Sequence, residues 1–387
     1  MYVDHAATTP VRAEVLAAMW PYVADEWGNP SSVSSPGRRA ARALADARDS
    51  IADVFNCEPE EVVFTGSGSE GANLAIKGVA EAAARVGKTR LITSRVEHHA
   101  VLETCRYLAR ERGFELIELE VDATGLVDLA QLATALTPET ALVSVMYANN
   151  EIGTIQPLAE VVRLAHAHGV PVHTDAVQAA GHLDLDVEQL GVDLLSIAAH
   201  KLYGPKGVGA LYVRGGTRLL PQTHGGGQER GRRSGTENVA GAVGLATALK
   251  LAQQERATLG PTLQELSTQL LEGLPRRVPG CQVTGPADPT ARLPGHASFV
   301  FEDVEIAPVL VGLDRQDIWA SSGSACTSRS AEPSHVLVAL GLGREWIFGA
   351  LRVTFGRDNT AADPGVVLEV VPPLVASARP ALTTAAV

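Results

Sequence analysis

Along the first two-thirds of the chain, apolar positions fall into short unbroken runs separated by stretches where they recur every three or four residues. The runs Val62–Phe64, Arg90–Thr93, Leu116–Glu120, Ala141–Met146, Pro171–His173, Leu194–Ile197 and Gly209–Val213 are too short for core helices and read as buried strands. Between them, Glu70–Val86, Ala100–Arg112, Leu129–Ala135 and Leu158–His168 carry helical spacing. Unbroken apolar strands alternating with helices predict a mostly parallel sheet covered on both faces, an α/β fold. In such sheets ligands sit at the carboxyl ends of the strands.

The pattern changes near residue 240. Asn238–Glu255 reads as one long helix and Pro261–Gly273 as another. Strands follow at Gln282–Thr284, Ala297–Glu302 and Leu351–Phe355, with helices at Ile306–Asp314 and Ser334–Leu340. This predicts a smaller α+β unit. Residues 12–255 are expected to form the large domain, and residues 1–11 with 256–387 the small one. The tail Pro372–Val387, rich in Pro, Ala and Thr, is expected to be partly unordered.

Composition narrows the picture. Aromatics are only 4% of the 387 residues, so Ala, Val, Leu and Ile must build the core. A net charge of -12 suits a soluble protein and disfavours nucleic acid and anionic membrane as partners. The amino terminus shows no secretory pattern, and no apolar run reaches the ~18 residues of a membrane span. The four cysteines include no C-x-x-C pair and are too few for a disulfide framework, so a reducing cytoplasm is the expected setting. No metal-ligand cluster is expected.

Several polar motifs stand at predicted strand ends. Lys201, in Ser196-Ile-Ala-Ala-His-Lys-Leu-Tyr-Gly-Pro, lies between apolar residues and a turn, where a lysine can form a Schiff base with an aldehyde. Most such lysines are surface groups, but Lys201 has company. Asp175, in His173-Thr-Asp-Ala-Val-Gln, is placed to pair with a protonated pyridine nitrogen, as pyridoxal phosphate chemistry requires; the alternative, a helix cap, is compatible. Gln178 follows within reach of the same ring's phenolic oxygen. Thr65-Gly-Ser-Gly-Ser-Glu opens a helix with small residues, and Gly68 and Ser69 suit a phosphate. The loop is neither a dinucleotide fingerprint nor a P-loop. Glu97-His-His supplies an imidazole to stack on a ring, or simply two surface histidines. Asn149-Asn offers amides, or a turn.

Cys326 lies in Ser321-Ser-Gly-Ser-Ala-Cys-Thr-Ser-Arg-Ser, a small polar run that predicts an exposed loop and a reactive thiol. Cys57, Cys105 and Cys281 sit in apolar contexts and read as spectators.

Together these segments resemble the NifS/IscS-type cysteine desulfurases, class-V aminotransferase relatives within the fold-type I pyridoxal-phosphate enzymes. The resemblance runs from Tyr2-Val-Asp-His-Ala-Ala-Thr-Thr-Pro to about Arg357. It includes Gly28-Asn-Pro-Ser-Ser, Gly225-Gly-Gly-Gln-Glu-Arg-Gly-Arg-Arg-Ser-Gly-Thr and the Cys326 segment. It implies pyridoxal 5'-phosphate as cofactor and removal of sulfur from L-cysteine, leaving alanine and a persulfide on Cys326. By the same resemblance Lys201 is the Schiff-base lysine, Asp175 pairs with the ring nitrogen and Gln178 with the phenolic oxygen. His98 stacks on the ring and relays protons. Gly68, Ser69 and His200 approach the phosphate. Asn150 lies beside the ring, Asn29 and Asn150 contact substrate, and Arg352 clamps its carboxylate. Thr236 reaches the phosphate in the partner subunit of a homodimer. A sulfur-acceptor protein, such as an iron–sulfur scaffold or a sulfur carrier, is the implied partner.

Two departures stand out. Ala198-Ala199 replaces the family's Ser-Gly before His-Lys, removing a hydroxyl offered to the phosphate. Ser32-Val-Ser-Ser-Pro-Gly lacks the family's histidine, and nothing in the sequence explains that loss. Selenocysteine lysis or transamination on the same scaffold are the competing readings, and plain transamination needs no Cys326. A scaffold that had lost catalysis would lack Lys201, Asp175 or Cys326, and all three are present.

Overall fold

The computed structural model describes residues 1–323 and 333–379. The seven predicted apolar runs form one sheet from β1 (Val62–Thr65), β2 (Arg90–Ser94), β3 (Glu115–Leu119), β4 (Thr140–Ser144), β5 (Val172–Asp175), β6 (Leu194–Ala198) and β7 (Gly209–Val213), in the order β1-β7-β6-β5-β4-β2-β3. Strand β7 is antiparallel to β1 and β6, and the other neighbouring pairs are parallel.

The inner strands are largely apolar because both faces are covered, whereas the edge strand β3 carries Glu115 and Glu118 and buries only Leu119. Val62, Phe64, Leu195, Ile197 and Tyr212 join one apolar layer, while Val63, Leu194, Leu211 and Val213 join the other. The helices, in chain order, are α1 (Ala13–Ala24), α2 (Ser35–Phe55), α3 (Gly68–Ala84), α4 (His99–Arg112), α5 (Leu129–Ala135), α6 (Leu158–His166), α7 (Val187–Leu190) and α8 (Val239–Arg277). Ile51 and Phe55 of α2, Val161 of α6 and Leu245 and Leu249 of α8 fill the first layer. Ile76 of α3 and Val101 and Leu108 of α4 fill the second.

A second, antiparallel sheet has the order β10-β9-β8, with β8 at Cys281–Val283, β9 at His296–Phe301 and β10 at Ala350–Thr354. It packs under α8, α9 (Ile306–Asp314) and α12 (Asp363–Ala378), while α10 (His335–Ala339) and α11 (Arg344–Ile347) border the large sheet's loops. The amino-terminal segment lies beside this sheet, with Asp4 bridging to Thr354 and Tyr2 to Trp319.

One expectation is corrected; the tail, expected to be partly unordered, is described only as far as Arg379. The predicted pair of helices after residue 238 is one 39-residue helix that runs through Gly260 and Pro261. Its first half is anchored in the large sheet's layer by Leu245 and Leu249, and its second half in the small sheet's core by Leu263, Leu266 and Leu270. Burial at both ends outweighs the ~3 kcal/mol that an interior proline costs. The tail is helical as far as Ala378, although Pro372 and Pro373 lie inside it. Val367, Val371 and Val375 bury one face. The carbonyl of Leu368, which loses its helical donor at Pro372, accepts Nη1 of Arg277 at 3.0 Å.

Candidate active site

The carboxyl ends of β1, β2, β4, β5 and β6 open on one edge of the large sheet, so the loops that follow them converge. They enclose a cavity of about 270 Å³. Of the residues singled out in the sequence, it brings together Gly68, Ser69, His98, Asn150, Asp175, Gln178, His200, Lys201 and Arg352.

Each is placed by local structure. Ser67 caps α3, its Oγ accepting the Glu70 amide at 3.1 Å. The amides of Gly68 and Ser69, in the first turn, have no intrahelical acceptor and present the positive end of the helix. Position 68 requires glycine, since a Cβ there would stand 2.7 Å from Cγ2 of Val177 and 3.5 Å from Cβ of Ala198. His98 is the N-cap of α4, and its Nδ1 accepts the Ala100 amide at 3.1 Å. Burial first, and the charge of Lys201 second, push its imidazole down to about 4, so it is neutral at physiological pH.

Asp175 ends β5, with Oδ1 accepting the Val177 amide at 2.9 Å. Burial pushes its carboxyl up to about 6, opposed by that amide and by Lys201. A cation in the cavity would hold it ionised. Lys201 leaves the short helical turn after β6 and donates Nζ to the carbonyls of Ala6 and Ala7, the latter at 2.8 Å. Gln178 Nε2 donates to the Ala6 carbonyl at 2.9 Å. His200 Nδ1 lies 3.2 Å from Thr8 Oγ1, and burial pushes its imidazole down to about 4. Arg352, on β10, is 2% exposed; Nη1 donates to the carbonyls of Asn150 (2.8 Å) and Gly323 (2.9 Å), and Nη2 to Asp4 Oδ1 (2.6 Å).

The sequence matches aminotransferase class-V over residues 1–364. The chain belongs to the aminotransferase class-V family. Within that family it is similar to the cysteine desulfurase IscS of Clostridium botulinum (strain Hall), 45% identical over 98% of this chain and 95% of the relative. Among solved structures, a NifS-like protein superposes with a TM-score of 0.90 at 36% identity, covering 97% of this chain and 99% of that one. SspA, solved in complex with cysteine, superposes with a TM-score of 0.79 at 36% identity over 92% of this chain and 98% of that one.

Two described residues singled out in the sequence are not in the cavity's wall. Asn29 and Thr236 are exposed and lie outside the lining. Cys326 lies outside the described residues. The other cysteines are free; burial pushes the Cys57 and Cys281 thiols up to about 12 and that of Cys105 higher still. Among the described residues no group of three or more His, Cys, Asp and Glu would hold a metal ion, and no helix is long and apolar enough to cross a membrane.

The sequence reading missed what the amino-terminal segment does: residues 4–9 touch Arg352, Gln178, Lys201 and His200. It also missed two buried carboxyls, Glu97 and Glu151. Glu151 lines the cavity and accepts Ser334 Oγ at 2.6 Å. The motif of small polar residues from Asp4 to Thr9 was the available signal.

Proposed function

We propose that this protein is a pyridoxal-phosphate-dependent cysteine desulfurase that moves the sulfur of L-cysteine onto Cys326 and releases L-alanine. The observation that carries the reading is the convergence of a lysine amine, a buried carboxylate, an open helix amino terminus and a buried arginine on one cavity. These groups fit the cofactor. Gly68, Ser69 and His200 would hold its phosphate, Asp175 its ring nitrogen, Gln178 its phenolic oxygen and Lys201 its aldehyde carbon, with His98 and Asn150 beside the ring. When bound, pyridoxal phosphate supplies an electron sink for the substrate's α-carbon.

The chain's own groups do the rest. Arg352, with Asn29 and Asn150, holds the substrate carboxylate and fixes the Cα–H bond. Lys201 takes the α-proton, and neutral His98 relays protons within the closed site. Cys326, as thiolate, attacks the substrate sulfur: an S–S bond forms, the C–S bond breaks, and its electron pair stays with the carbon that is protonated to alanine. The resulting persulfide passes to an iron–sulfur scaffold or another sulfur-carrier protein.

The protein acts as a homodimer in which Thr236 reaches the partner's phosphate site. An exposed apolar stripe on α1 and beyond supports this, with Trp20 and Trp27 64% and 78% exposed. Ser31 and Glu237, neighbours of Asn29 and Thr236, line one surface recess, so both segments stand together outside their own cavity. Residues 12–255 form the large domain, and residues 1–11 with 256–387 the small one. A reducing cytoplasm suits a chain whose Cys57, Cys105 and Cys281 are free thiols.

Cys326→Ser tests the reading. The absorbance change on adding L-cysteine should persist, because it needs Lys201, Asp175 and Arg352. Alanine release should fall to background, while serine at 57, 105 or 281 should retain most activity. Normal alanine production by Cys326→Ser would replace sulfur transfer with a lyase-type elimination.

A further inference from the structure

Asp4 and Arg352 form an ion pair at the margin of the site. Asp4 pairs through its backbone with Thr354, two residues beyond Arg352 on β10. Its Oδ1 accepts Nη2 of Arg352 at 2.6 Å, with side chains 16% and 2% exposed. Nη1 gives its hydrogens to the carbonyls of Asn150 and Gly323. A guanidinium carries five N–H donors. Nε, buried, finds no acceptor among the described residues, and Nη2 keeps a second hydrogen. These two donors are what a carboxylate needs for a paired contact. Arg352 lines the cavity with Lys201, whereas Asp4 is not part of the lining.

We infer that Asp4 is the resident counter-ion of Arg352: it orients the guanidinium from behind and weakens the site's hold on the carboxylate of substrate and product. The inference rests on the reading that Arg352 takes that carboxylate. An incoming carboxylate meets a cation whose charge is already balanced, and it comes to rest near a second anion. Two like charges about 5 Å apart in a partly buried site repel appreciably. The consequence is a site tuned to release alanine rather than to grip it.

Replacing the charge while keeping the acceptor separates orientation from attraction. Asp4→Asn retains an oxygen for Nη2 and removes the anion. The probe is 3-mercaptopropionate, which has the substrate's carboxylate and thiol but no amine to exchange with Lys201. Titrated calorimetrically into the holoenzyme, it is expected to bind Asp4→Asn about tenfold more tightly than the wild type. Asp4→Ser, a second neutral side chain, should shift affinity in the same direction, so the test does not depend on one variant folding. With L-cysteine, KM and kcat should fall together as alanine release slows. A gain in affinity is something that structural damage would not produce.

Arg352→Gln separates the two ways of failing. If that variant binds the probe as tightly as the wild type, the carboxylate role of Arg352 is wrong. If it loses the probe while both neutral variants at position 4 bind no more tightly than the wild type, the counter-ion role of Asp4 is overturned.

Discussion

Glu97 stands directly before His98 and is fully buried, with Oε1 accepting Ser94 Oγ at 2.8 Å and the Met146 amide at 2.7 Å. Oε2 has no partner among the described residues. Burial, above all, pushes its carboxyl from 4.5 up to about 8; the charge of Asp175 adds to the rise, and the Met146 amide and Ser94 hydroxyl oppose it. The folded state therefore binds this proton more tightly than the unfolded chain does. Stability is at its fullest below the unfolded value and declines as pH rises towards the folded one. The decline is about 1.4 kcal/mol per pH unit, which reaches about 3 kcal/mol near pH 7. Glu97→Gln is neutral at every pH and keeps the Oε1 acceptor, but its amide carries two N–H donors where the protonated carboxyl carries one O–H, an offset of about 1 kcal/mol or more that does not vary with pH. Urea unfolding of the holoenzyme, at matched protein concentration and followed by circular dichroism, should show the variant gaining about 3 kcal/mol on the wild type between about pH 4.5 and pH 7. Below about pH 4.5 the difference between the two proteins should stop changing with pH, and turnover should be unchanged. A difference that stays constant from about pH 4.5 to pH 7 would mean that folding does not raise the proton affinity of Glu97 and that the reasoning is wrong.

Two further outcomes follow from the site. Ala198 is 2% exposed and faces the start of α3, so Ala198→Ser should add a charge-assisted hydrogen bond to the phosphate. That bond is worth about 1.5–3 kcal/mol, a roughly 10- to 100-fold lower Kd in a cofactor titration; an unchanged Kd would show that another donor already serves. Asp175→Asn keeps an acceptor for the Val177 amide and should preserve the fold by circular dichroism while nearly abolishing turnover, since a neutral amide does not hold the ring nitrogen protonated. Near-normal alanine release in that variant would remove Asp175 from the ring.

The inner strands of the large sheet were legible in the sequence because both of their faces are dry. Val62–Phe64 and Leu194–Ile197 are apolar at every position but Ser196, a pattern that leaves little doubt about local structure. The chemistry at the strand ends was legible for a related reason: polar and small residues interrupt apolar runs at Gly68, His98, Asp175 and Lys201, and each interruption marks a loop on the same edge. Local sequence misled where distant packing decided the outcome. Gly260-Pro261 and Pro372-Pro373 signal breaks, yet buried leucines and valines on either side carry both helices through, and Arg277 supplies the donor that Pro372 removes from Leu368.

What the sequence determined by itself is the kind of site, because residue type sets chemistry: an amine, a carboxyl, an imidazole, an arginine and a thiol in a fixed order. What only the tertiary structure decided is how those groups are held and charged. Asp4 and Arg352 are 348 residues apart, as are Ala6 and Thr354, where the Ala6 amide donates to Thr354 Oγ1. Lys201 reaches Ala7 across 194 residues. No periodicity within a segment encodes such pairs, since they depend on how two sheets and an amino-terminal segment dock. Burial belongs to the same level. Glu97 and Glu151 look like ordinary surface carboxylates in the sequence, and only the packing of β2, β4 and α10 around them takes them out of water and raises their proton affinity.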